Sequence, residues 1–387
     1  MRLLFVADGR SPIAQNWIRY FAERGDVVYL ASPFRCSVGF PLAGLEITPV
    51  AFSNASKVKI TSGNASYLGL RHDRLAMIRN ILGPLTIFRA SKTLRSFIGR
   101  VKPDLVHAMR IPFEGMLAAD AYTGLPLLVS VWGNDFTLHA SSNWLMRHNT
   151  SWTMQVADAL HADCQRDIRL GKQWGFKSSR PQLVTPGNGG IRTDIFYPPA
   201  EAVEEPVVFN PRGARTYVRN DVFFQAAALV IAKKPNVKFI CAAMAGEPQA
   251  LQWIERLNLT GAVELKPPFP HDQMAEIFRR SQVVVSPSVH DGTPNSLLEG
   301  MACGCFPVAG DLESIREWIT PGVNGLLTDP TDPQKVADSL LSAIANKNLR
   351  KQAAGLNKKI IIERAEYIQC MSQVSAFYQT IISRSNR

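Results

Sequence analysis

Short apolar runs of strand length alternate with helical patterns through most of the 387-residue chain. The first series of strand-like runs occupies residues 3–7, 27–31, 104–107 and 127–131. The second series occupies residues 207–210, 237–242, 263–265, 283–286 and 306–309. Strands that alternate with helices form parallel sheets with helices on both faces. The sequence therefore predicts an α/β fold with doubly wound sheets.

A segment rich in proline and acid separates the two series. It runs from Tyr197 to Pro206 and has the composition of an interdomain linker. Each series can form a Rossmann-like domain, and such domains bind ligands at the carboxyl ends of their strands. We therefore predict two facing domains with an interdomain cleft, residues 1–198 and 199–364, followed by a C-terminal helix at 365–387.

The composition is that of a folded globular protein, because 46% of the residues are hydrophobic and 19% are charged. The sequence has no apolar run near the roughly 18 residues that a membrane span requires. The apolar run before Asp8 is too short for a signal peptide. The six cysteines are scattered, with only Cys303 and Cys305 close together, and we expect reduced structural thiols. These features predict a cytoplasmic protein.

Positive charge is concentrated between residues 57 and 102, in a chain whose formal net charge is +11. Apolar residues interleave with this charge at partly helical spacing, and the stretch contains a single acid, Asp73. Such a surface could bind an anionic membrane or an anionic lipid-linked acceptor. In the first case the protein would be peripheral at the inner face of the membrane. The alternative is a solvated basic helix face. A nucleic-acid role is not expected, since no nucleic-acid-binding motif accompanies the charge. The basic residues are Lys57, Lys59, Arg71, Arg74, Arg79, Arg89, Lys92, Arg95, Arg100 and Lys102.

Residues 286–327 place two acids around a loop that leads into a helix. Asp291 precedes a stretch broken by glycine and proline, and Glu299 follows eight positions later. A loop that enters a helix N-terminus offers unpaired backbone N–H groups to an anion, and the helix dipole adds to the attraction. The two acids can reach hydroxyl groups on either side of that anion. This combination indicates a sugar nucleotide.

The same stretch resembles the paired-acid motif E-G-x-P-x-x-L-L-E-A-M-A-x-G-x-P-V of retaining glycosyltransferases with the GT-B fold, in the group often called family 4. The chain departs from it at the first acid, because Asp291 is one methylene shorter than the usual Glu. The resemblance implies that Glu299 holds the ribose hydroxyls of the donor and that Asp291 contacts its sugar. The matching residues are Gly292, Pro294, Leu297, Leu298, Glu299, Met301, Ala302, Gly304, Pro307 and Val308, then Ser314, Ile315, Arg316, Glu317, Gly322, Asn324 and Gly325.

By the same resemblance, the loop between the two acids belongs to the donor site. His290 adjoins Asp291, and a local contact within the loop explains it equally well. The predicted donor-binding residues are Glu299, Gly292, Thr293, Pro294, Asn295, Ser296, Leu297 and His290.

Two arginines near residue 210 fit the family's phosphate-binding positions. Residues 209–212 read Phe-Asn-Pro-Arg where the family has a Gly-Arg strand end, with a Lys some seven residues later. That Arg and Lys hold the donor diphosphate in the family, so the resemblance assigns this role to Arg212 and Arg219. Arg215 is a rival for either role, and charge on a surface loop is the alternative.

The chain lacks the His of the family's H-G-x-D motif, which lies near the donor sugar. Residues 132–135 read Trp-Gly-Asn-Asp instead. Trp132 has only an indole N–H donor and cannot act as a general base, but its ring can stack on a sugar. The alternatives are a Trp132 that fills the core and an Asp135 that caps a helix.

Weaker matches in the first domain supply candidate contacts with the acceptor or with phosphate. His107 ends the strand motif Pro-Asp-Leu-Val-His-Ala, although it could equally be a packed, hydrogen-bonded His. The exit of the first strand contains Gly9 and Ser11 but no G-x-G-x-x-G, which weakens a dinucleotide oxidoreductase interpretation. Asp135 completes this set of candidates. The sequence has no D-x-D, no H-E-x-x-H and no clustered His and Cys ligands, so we expect no metal site.

The resemblance as a whole implies a metal-independent, retaining glycosyltransferase without a cofactor. It would move a hexose from a nucleotide-sugar donor to a glycan or lipid-linked acceptor in cell-surface polysaccharide or glycolipid synthesis. Its catalytic residues would be Asp291, Arg212, Arg219 and Trp132, and its final helix would cross back onto the first domain. Two alternatives stay open: a sugar-nucleotide epimerase or phosphorylase of the same fold, and a non-catalytic homologue that binds a sugar nucleotide or a partner.

Overall fold

A computed structural model describes residues 1–50 and 83–385 and divides into two compact units. The first unit comprises Met1–Gly190 together with Ile368–Arg387. The second unit comprises Ile191–Tyr367 and includes the segment predicted as a linker. Of the basic stretch at 57–102, Lys57, Lys59, Arg71, Arg74 and Arg79 lie outside the described residues.

The first unit is built on a parallel sheet of seven described strands. Their spatial order is β3-β2-β1-β4-β5-β6-β7. The strands are β1 (Arg2–Val6), β2 (Val27–Ser32), β3 (Gly44–Ile47), β4 (Leu105–Ala108), β5 (Leu127–Val131), β6 (Ala159–Ala162) and β7 (Gln182–Val184). The central strands β4, β5 and β6 are buried at every position, because helices cover both faces of a doubly wound sheet.

Two of the described helices of the first unit begin at a residue whose side chain caps them. Ser11 accepts a hydrogen bond from the Ala14 N–H and is followed by Pro12 in the first turn, and Asn143 accepts one from Met146 N–H. Short turns lie at Gly83–Thr86, Ile111–Gly115 and Asp135–His139. The helices are Pro12–Glu23, Ile87–Val101, Met116–Asp120, Trp144–Val156, Gln165–Gln173 and Tyr367–Ser385.

The C-terminal helix contributes to the core of the first unit. Tyr378 is fully buried and stacks on Phe21, with ring centroids 4.8 Å apart. Phe21 lies with Trp17 and Ile18 on the buried face of the helix Pro12–Glu23. Residues from opposite ends of the chain therefore share one hydrophobic core.

The second unit is built on a parallel sheet of six described strands, in the order β10-β9-β8-β11-β12-β13. The strands are β8 (Val207–Asn210), β9 (Lys238–Cys241), β10 (Val263–Leu265), β11 (Val283–Ser286), β12 (Phe306–Gly310) and β13 (Leu326–Thr328). The helices are Asn220–Lys233, Pro248–Arg256, His271–Arg279, Asn295–Ala302, Glu313–Arg316, Pro333–Ala345 and Lys347–Arg364.

Both sheets reverse their strand order beside their first strand, between β1 and β4 and between β8 and β11. In open α/β sheets, ligands bind outside the carboxyl ends of the strands at such a switch point. The predicted α/β class with two Rossmann-like sheets is confirmed. Among the described residues, none of the helices has the length and hydropathy that a membrane crossing demands.

Candidate functional site

Arg212 and Asp291 meet at the switch point of the second sheet. Arg212 follows β8 and Asp291 follows β11, the strand that pairs with β8. Arg212 Nη2 donates to Asp291 Oδ2 at 2.5 Å, and Nη1 lies 3.4 Å from Ser296 Oγ. Each of the two residues is 9% exposed. A guanidinium and a carboxylate are therefore held together at the edge where a ligand would bind.

The two loops that carry this pair are bound to each other. Val218 and Ser288 form an antiparallel bridge, and Arg219 N–H donates to Pro287 O at 3.0 Å. Asn210 Oδ1 accepts from Arg212 N–H at 3.1 Å, which fixes the backbone directly after β8. The position of the Arg212 side chain is thus set by the sheet and by the neighbouring loop.

The helix Asn295–Ala302 begins beside this pair with its N-terminus uncapped by a side chain. Pro294 precedes this helix, and within the described part of the chain its side chain makes no capping hydrogen bond. Leu297 N–H donates to Pro294 O at 2.9 Å, which leaves the N–H groups of Asn295 and Ser296 ahead of the first helical bond. These groups and the helix dipole favour an anion at this end.

Several buried polar atoms at the same edge lack a hydrogen-bond partner within the described part of the chain. They are Arg212 Nε, Ser286 Oγ, Ser288 Oγ and Asn295 Oδ1. A buried donor or acceptor without a partner costs about 1–3 kcal/mol, so such atoms rarely cluster without a functional reason. Their concentration here is what a polar ligand would satisfy.

Glu299 lies one turn into the same helix and is 7% exposed. Burial raises the pKa of its carboxyl to about 7, although the charge of Arg212 acts in the opposite direction. Asn295 and Glu299 are four residues apart and so share a helix face. A carboxylate at this place can accept hydrogen bonds from two neighbouring hydroxyl groups.

Two residues that the sequence analysis did not predict donate hydrogen bonds to the loop between Asp291 and Glu299. Trp318 Nε1 donates to Thr293 Oγ1 at 2.9 Å, and Ser314 Oγ donates to the Asp291 carbonyl at 2.8 Å. Gly292 and Thr293 are buried, and His290 is half-buried. Trp318 lies within the second part of the family motif, next to Ile319. A large aromatic residue at that place was the sequence feature that could have indicated its contact with the loop.

Arg219 and Arg215 have other partners in the structure. Arg219 binds Asp221 through two hydrogen bonds of 2.9 and 2.7 Å, with 30% of its side chain exposed. Arg215 is exposed and donates to the Tyr217 hydroxyl at 2.8 Å. Of the three arginines, Arg212 is the one that the structure pairs with Asp291, and a phosphate role for Arg219 stays a prediction.

In the first unit, Asp135 organises the loops that follow β4 and β5. It is fully buried, and its Oδ1 accepts from Arg110 Nε and Nη2 at 3.2 and 3.0 Å. Its Oδ2 accepts from the N–H groups of Ile111 and Trp132 at 3.0 and 3.1 Å. Asp135 therefore joins two loops and does not cap the turn Asp135–His139, whose N-cap residue is Asn134. Trp132 is half-buried, and the Arg110 guanidinium lies 5.7 Å from its ring centroid.

Gly9 and Ser11 lie at the carboxyl end of β1. A Cβ at Gly9 would overlap the Cys36 sulfur, so a side chain at this position would force Cys36 to move. Gly9 N–H donates to Ser32 Oγ at 3.1 Å, and Ser11 Oγ caps the following helix. The structure thus gives both residues local partners, and their contact with phosphate or acceptor stays a prediction.

His107 is packed inside the first unit, with 1% of its surface exposed. Its Nδ1 lies 2.6 Å from Tyr378 Oη and its Nε2 lies 2.7 Å from Ser130 Oγ. The same serine hydroxyl lies 2.8 Å from Nδ1 of His161, which continues to Thr185. Burial lowers the pKa of both histidines, to about 4 for His161. His107 is thus the packed, hydrogen-bonded histidine of the two alternatives considered.

Three buried side chains after β6 form a group that the sequence analysis did not find. Ligand atoms of Asp163, Cys164 and Asp167 all lie within 4.8 Å of one another, as in a metal site. The group is a poor fit for a cation, however. Arg166 Nε already donates to Asp167 Oδ1 at 2.8 Å, and burial raises the pKa of the Cys164 thiol, which therefore stays protonated.

A cavity of about 340 Å³ lies at the opposite edge of the second sheet. Its lining includes Gln282 and Gly304, which precede β11 and β12, and Lys347. It contains none of the predicted site residues. Ligand sites of open α/β sheets form at the carboxyl edge, so the arrangement around Arg212 is the stronger candidate.

Known proteins with related sequences match part of the second unit. Residues 207–346 match the family model described as Glycosyl transferases group 1. These residues are therefore similar to group 1 glycosyltransferases. The match contains Arg212, Asp291 and Glu299, so the predicted resemblance is confirmed for the part of the chain that carries the motif.

A curated glycosyltransferase is similar to part of the chain. D-inositol 3-phosphate glycosyltransferase of Thermobispora bispora is 30% identical over 206 residues, which are 48% of this chain and 48% of the relative. The chain thus spans about half the length of this curated relative.

Solved structures extend the likeness from residues 207–346 to both units, as a fold. Sucrose-phosphate synthase from Thermosynechococcus elongatus superposes with a TM-score of 0.75 at 12% identity, over 99% of this chain and 100% of that one. HepE of Anabaena, solved in complex with UDP-glucose, superposes with a TM-score of 0.71 at 16% identity, over 98% and 100%. The chain therefore has the GT-B fold of these enzymes.

Proposed function

We propose that the protein is a glycosyltransferase that takes a hexose from a nucleoside diphosphate sugar bound at the carboxyl edge of the second sheet. The observation that carries the proposal is the buried Arg212–Asp291 pair beside the uncapped helix N-terminus that leads to Glu299. The family match over residues 207–346 supports it independently of the geometry.

Each part of a nucleotide sugar has a chemical partner at this edge. The diphosphate would bind Arg212, whose Nε is buried without a partner in the described residues, and the N–H groups at the helix start. Glu299 would accept hydrogen bonds from the ribose hydroxyls, and Asp291 would contact the hexose. Because HepE of Anabaena was solved with UDP-glucose, a uridine nucleotide is the first donor to test.

The reaction needs positive charge at the departing diphosphate. Bond cleavage builds negative charge on the β-phosphate and leaves an oxocarbenium-like sugar. Arg212 and the helix N-terminus are fixed before the reaction and would stabilise the phosphate charge without a metal ion. We further propose that the acceptor attacks from the same face with the diphosphate as its base, which gives retention. Arg219 would assist the diphosphate, if donor binding releases it from Asp221.

The acceptor in this proposal is a glycan or a lipid-linked sugar used in cell-surface polysaccharide or glycolipid synthesis. Because the relative from Thermobispora bispora is named for D-inositol 3-phosphate, inositol compounds belong in the same acceptor screen. The product shows the stereochemistry directly, since the anomeric coupling constant separates retention from inversion.

Thermal shift with nucleotides tests the donor site. UDP and UDP-glucose at about 100 times their Kd would raise the unfolding free energy of the part that binds them by about 2.7 kcal/mol. Glu299→Ala should remove most of this shift, whereas Arg215→Ala, at an exposed arginine of the same unit, should leave it unchanged. Equal shifts in the two variants, or no shift with UDP, GDP, ADP or TDP and their hexose conjugates, would contradict the proposed donor site.

Product analysis separates the alternative enzymes. A transferase consumes the donor faster when acceptor is added, whereas an epimerase changes the sugar without acceptor and a phosphorylase requires phosphate. A non-catalytic homologue would show the nucleotide shift without any hydrolysis of the donor over long incubation.

We also propose that the first unit associates peripherally with an anionic membrane surface. Leu85, Phe88 and Trp144 are 64%, 67% and 73% exposed, and the turn Gly83–Thr86 contacts the helix Trp144–Val156 that begins with Trp144. Arg89 and Lys92 are exposed on the same helix as Phe88, with Lys92 Nζ 4.5 Å from its ring centroid. Apolar side chains surrounded by basic ones suit the interface of an anionic bilayer.

Vesicle sedimentation tests this surface. Wild-type protein should sediment with vesicles that contain anionic lipid and should be released by salt. Phe88→Ser should reduce binding several-fold, whereas Leu251→Ser, at an exposed leucine of the second unit, should not. Binding that is the same with neutral and anionic vesicles, or in both variants, would refute the proposed membrane surface.

A further inference from the structure

The first residue of the helix Asn220–Lys233 is turned back onto the loop that carries Arg212. Asn220 is 5% exposed, and its Nδ2 donates to the Gly213 carbonyl at 2.9 Å. Its Oδ1 accepts from Asn210 Nδ2 at 3.2 Å. Both ends of the Asn220 amide therefore bind the end of β8 and the loop that follows it.

The second amide of this pair, Asn210, is fully buried at the end of β8. Its Oδ1 accepts from the Arg212 N–H at 3.1 Å, and its own carbonyl accepts from the Ala242 N–H after β9 at 2.9 Å. Arg212 is thus held on both sides, at its own N–H by Asn210 and at the following carbonyl by Asn220. The amide pair connects the arginine to the sheet.

The residues directly after the arginine gain little from packing. Gly213 has a φ of +68°, and glycine adopts this left-handed conformation and others about equally well. Ala214, Arg215 and Thr216 are exposed. The hydrogen bond from Asn220 to the Gly213 carbonyl therefore fixes the chain at the point where it leaves the buried edge.

The guanidinium of Arg212 has a role that depends on a fixed position. Its Nη2 donates to Asp291 Oδ2, and its Nε is buried without a partner in the described part of the chain. A preorganised donor stabilises the charge that develops on a leaving group without reorganising during the reaction. A displacement of about 1 Å can lower a rate by about 10²-fold.

We infer that Asn220 is a positioning residue that holds the Arg212 guanidinium where the departing diphosphate would bind. It acts through Asn210 and Gly213 and does not itself touch the substrate. The inference rests on the proposed glycosyl transfer, and it adds a residue of the neighbouring helix on which turnover depends.

Hydrogen exchange of the full chain tests the inference without turnover. Asn220→Ala removes the bond to the Gly213 carbonyl and takes a partner from Asn210. The Arg212 backbone N–H should therefore exchange about tenfold faster, the effect of one lost hydrogen bond. The Ala242 N–H, which donates to Asn210 O, should keep its wild-type rate. An unchanged rate at Arg212, or an equal increase at both N–H groups, would overturn the inference.

A double-mutant cycle, measured as release of UDP from UDP-glucose at high enzyme concentration, tests the effect on turnover. Asn220→Ala should lower kcat about 10–100-fold and change KM less than about threefold, because the phosphate charge grows after the donor has bound. In the Arg212→Ala background the same substitution should cost less than about twofold, since no guanidinium is left to position. Equal losses in the two backgrounds would show that Asn220 does not act through Arg212 and would refute the inference.

Asn357→Ala is the matched control for the cycle. It removes another fully buried amide of the second unit, one that accepts from Asn324 Nδ2 at 2.9 Å. Its effect on kcat should be small and the same in both Arg212 backgrounds. If Asn357→Ala matched Asn220→Ala in the cycle, loss of any buried amide would explain the result and the positioning role would be refuted.

Asn220→Asp covers the case in which Asn220→Ala does not fold. It keeps an oxygen acceptor for Asn210, and an acid is favourable at a helix N-terminus, but it lacks the N–H donor to Gly213. Its kcat should fall in the same way as that of Asn220→Ala. A kcat equal to wild type would show that the bond to Gly213 contributes nothing to turnover.

The proposed transfer and the positioning role fail separately. If the wild type releases no UDP and shows no nucleotide shift, the proposed transfer is refuted, while the exchange rate at Arg212 still decides whether Asn220 holds the loop. If UDP is released and the exchange rate at Arg212 is unchanged in Asn220→Ala, the positioning role fails alone.

Discussion

A carboxyl group at the candidate donor site has a pKa that depends on how deeply it is buried. Glu299 is 7% exposed, and burial raises its pKa to about 7 despite the nearby charge of Arg212. Near neutral pH the group therefore changes between an uncharged acid and a carboxylate. Only the carboxylate can accept hydrogen bonds from two ribose hydroxyls without donating one, so nucleotide affinity should fall as the pH drops below about 7.

The pKa of Glu299 also predicts how stability depends on pH. The folded protein retains a proton that the unfolded chain releases above pH 4.5, so the stabilisation from the protonated group is complete below pH 4.5 and is lost as the pH rises through about 7. Glu299→Gln removes this loss and should raise the unfolding free energy at pH 8 by about 3 kcal/mol relative to wild type. Urea denaturation of wild type and Glu299→Gln at pH 5 and pH 8 measures this difference in unfolding free energy. An identical pH dependence in both proteins would show that Glu299 does not titrate in this range.

Arg212 should matter more for turnover than for donor binding, because the charge that it faces grows as the glycosidic bond breaks. Arg212→Ala should lower kcat by a factor of about 10²–10³, as the loss of a preorganised donor does elsewhere. Arg212→Lys keeps the positive charge but loses the bidentate geometry of the guanidinium, so its kcat should lie between those of wild type and Arg212→Ala. Arg215→Ala should stay within about twofold of wild type. An equal loss in Arg212→Ala and Arg215→Ala would remove Arg212 from the mechanism.

At the scale of the secondary-structure elements, the C-terminal helix is held to the first sheet by a buried polar chain. Trp17 Nε1 donates to Tyr378 Oη at 2.9 Å, and the same oxygen lies 2.6 Å from His107 Nδ1. Through Ser130 and His161 the chain continues to Thr185. One hydroxyl group therefore connects the helix Pro12–Glu23, the C-terminal helix and β4.

Removing that hydroxyl should destabilise the first unit. Tyr378→Phe leaves the Trp17 N–H and His107 Nδ1 buried without their partner and should cost about 1–3 kcal/mol. Tyr197→Phe, at a tyrosine 49% exposed in the second unit, is the control and should cost less than about 0.5 kcal/mol. Thermal unfolding of the two variants measures the difference. A stability equal to wild type in Tyr378→Phe would mean that the chain of hydrogen bonds contributes nothing net.

Much of this architecture follows from local sequence, and the remainder depends on distant partners. The strands β1, β2, β5, β8 and β11 are apolar runs that their own residues reveal. The loop and helix that carry Asp291 and Glu299 were predicted from glycine, proline and the spacing of two acids. The strand β6 was missed because Ala-Leu-His-Ala is short and contains a histidine, and the polar residues after it were missed with it.

Side-chain partners were the least predictable feature. His107 and Tyr378 are 271 positions apart, and Trp17 and Tyr378 are 361 apart, so no local pattern pairs them. Arg219 was expected to face phosphate, but Asp221, two residues later, binds its guanidinium in the structure. Sequence therefore indicates which groups can serve a site, whereas packing decides which of them are already bound.

At the scale of the whole molecule, each unit has its own hydrophobic core. The first is centred on β1, β4 and β5 with the helices around them, and the second is divided between the two faces of the β8–β13 sheet. The predicted donor residues all belong to the second unit. A nucleotide should therefore stabilise the second unit selectively.

Differential scanning calorimetry can resolve this selectivity. We expect two overlapping unfolding transitions, of which UDP-glucose raises one by several degrees and leaves the other in place. The Glu299→Ala variant should lose the ligand-dependent shift, and Tyr378→Phe should lower only the transition that the ligand does not move. A single transition that shifts as a whole with ligand would show that the two units unfold cooperatively.

The membership of Ile368–Arg387 in the first unit has a consequence for synthesis on the ribosome. Residues 191–367 leave the exit tunnel before the helix that bears Tyr378, and at about 5–20 residues per second this takes on the order of ten seconds or more. During that interval the second unit can fold completely, while the first has emerged without its last helix. The part of the protein translated first is thus the last to be completed, and its exposed core surface is where a chaperone would bind the nascent chain.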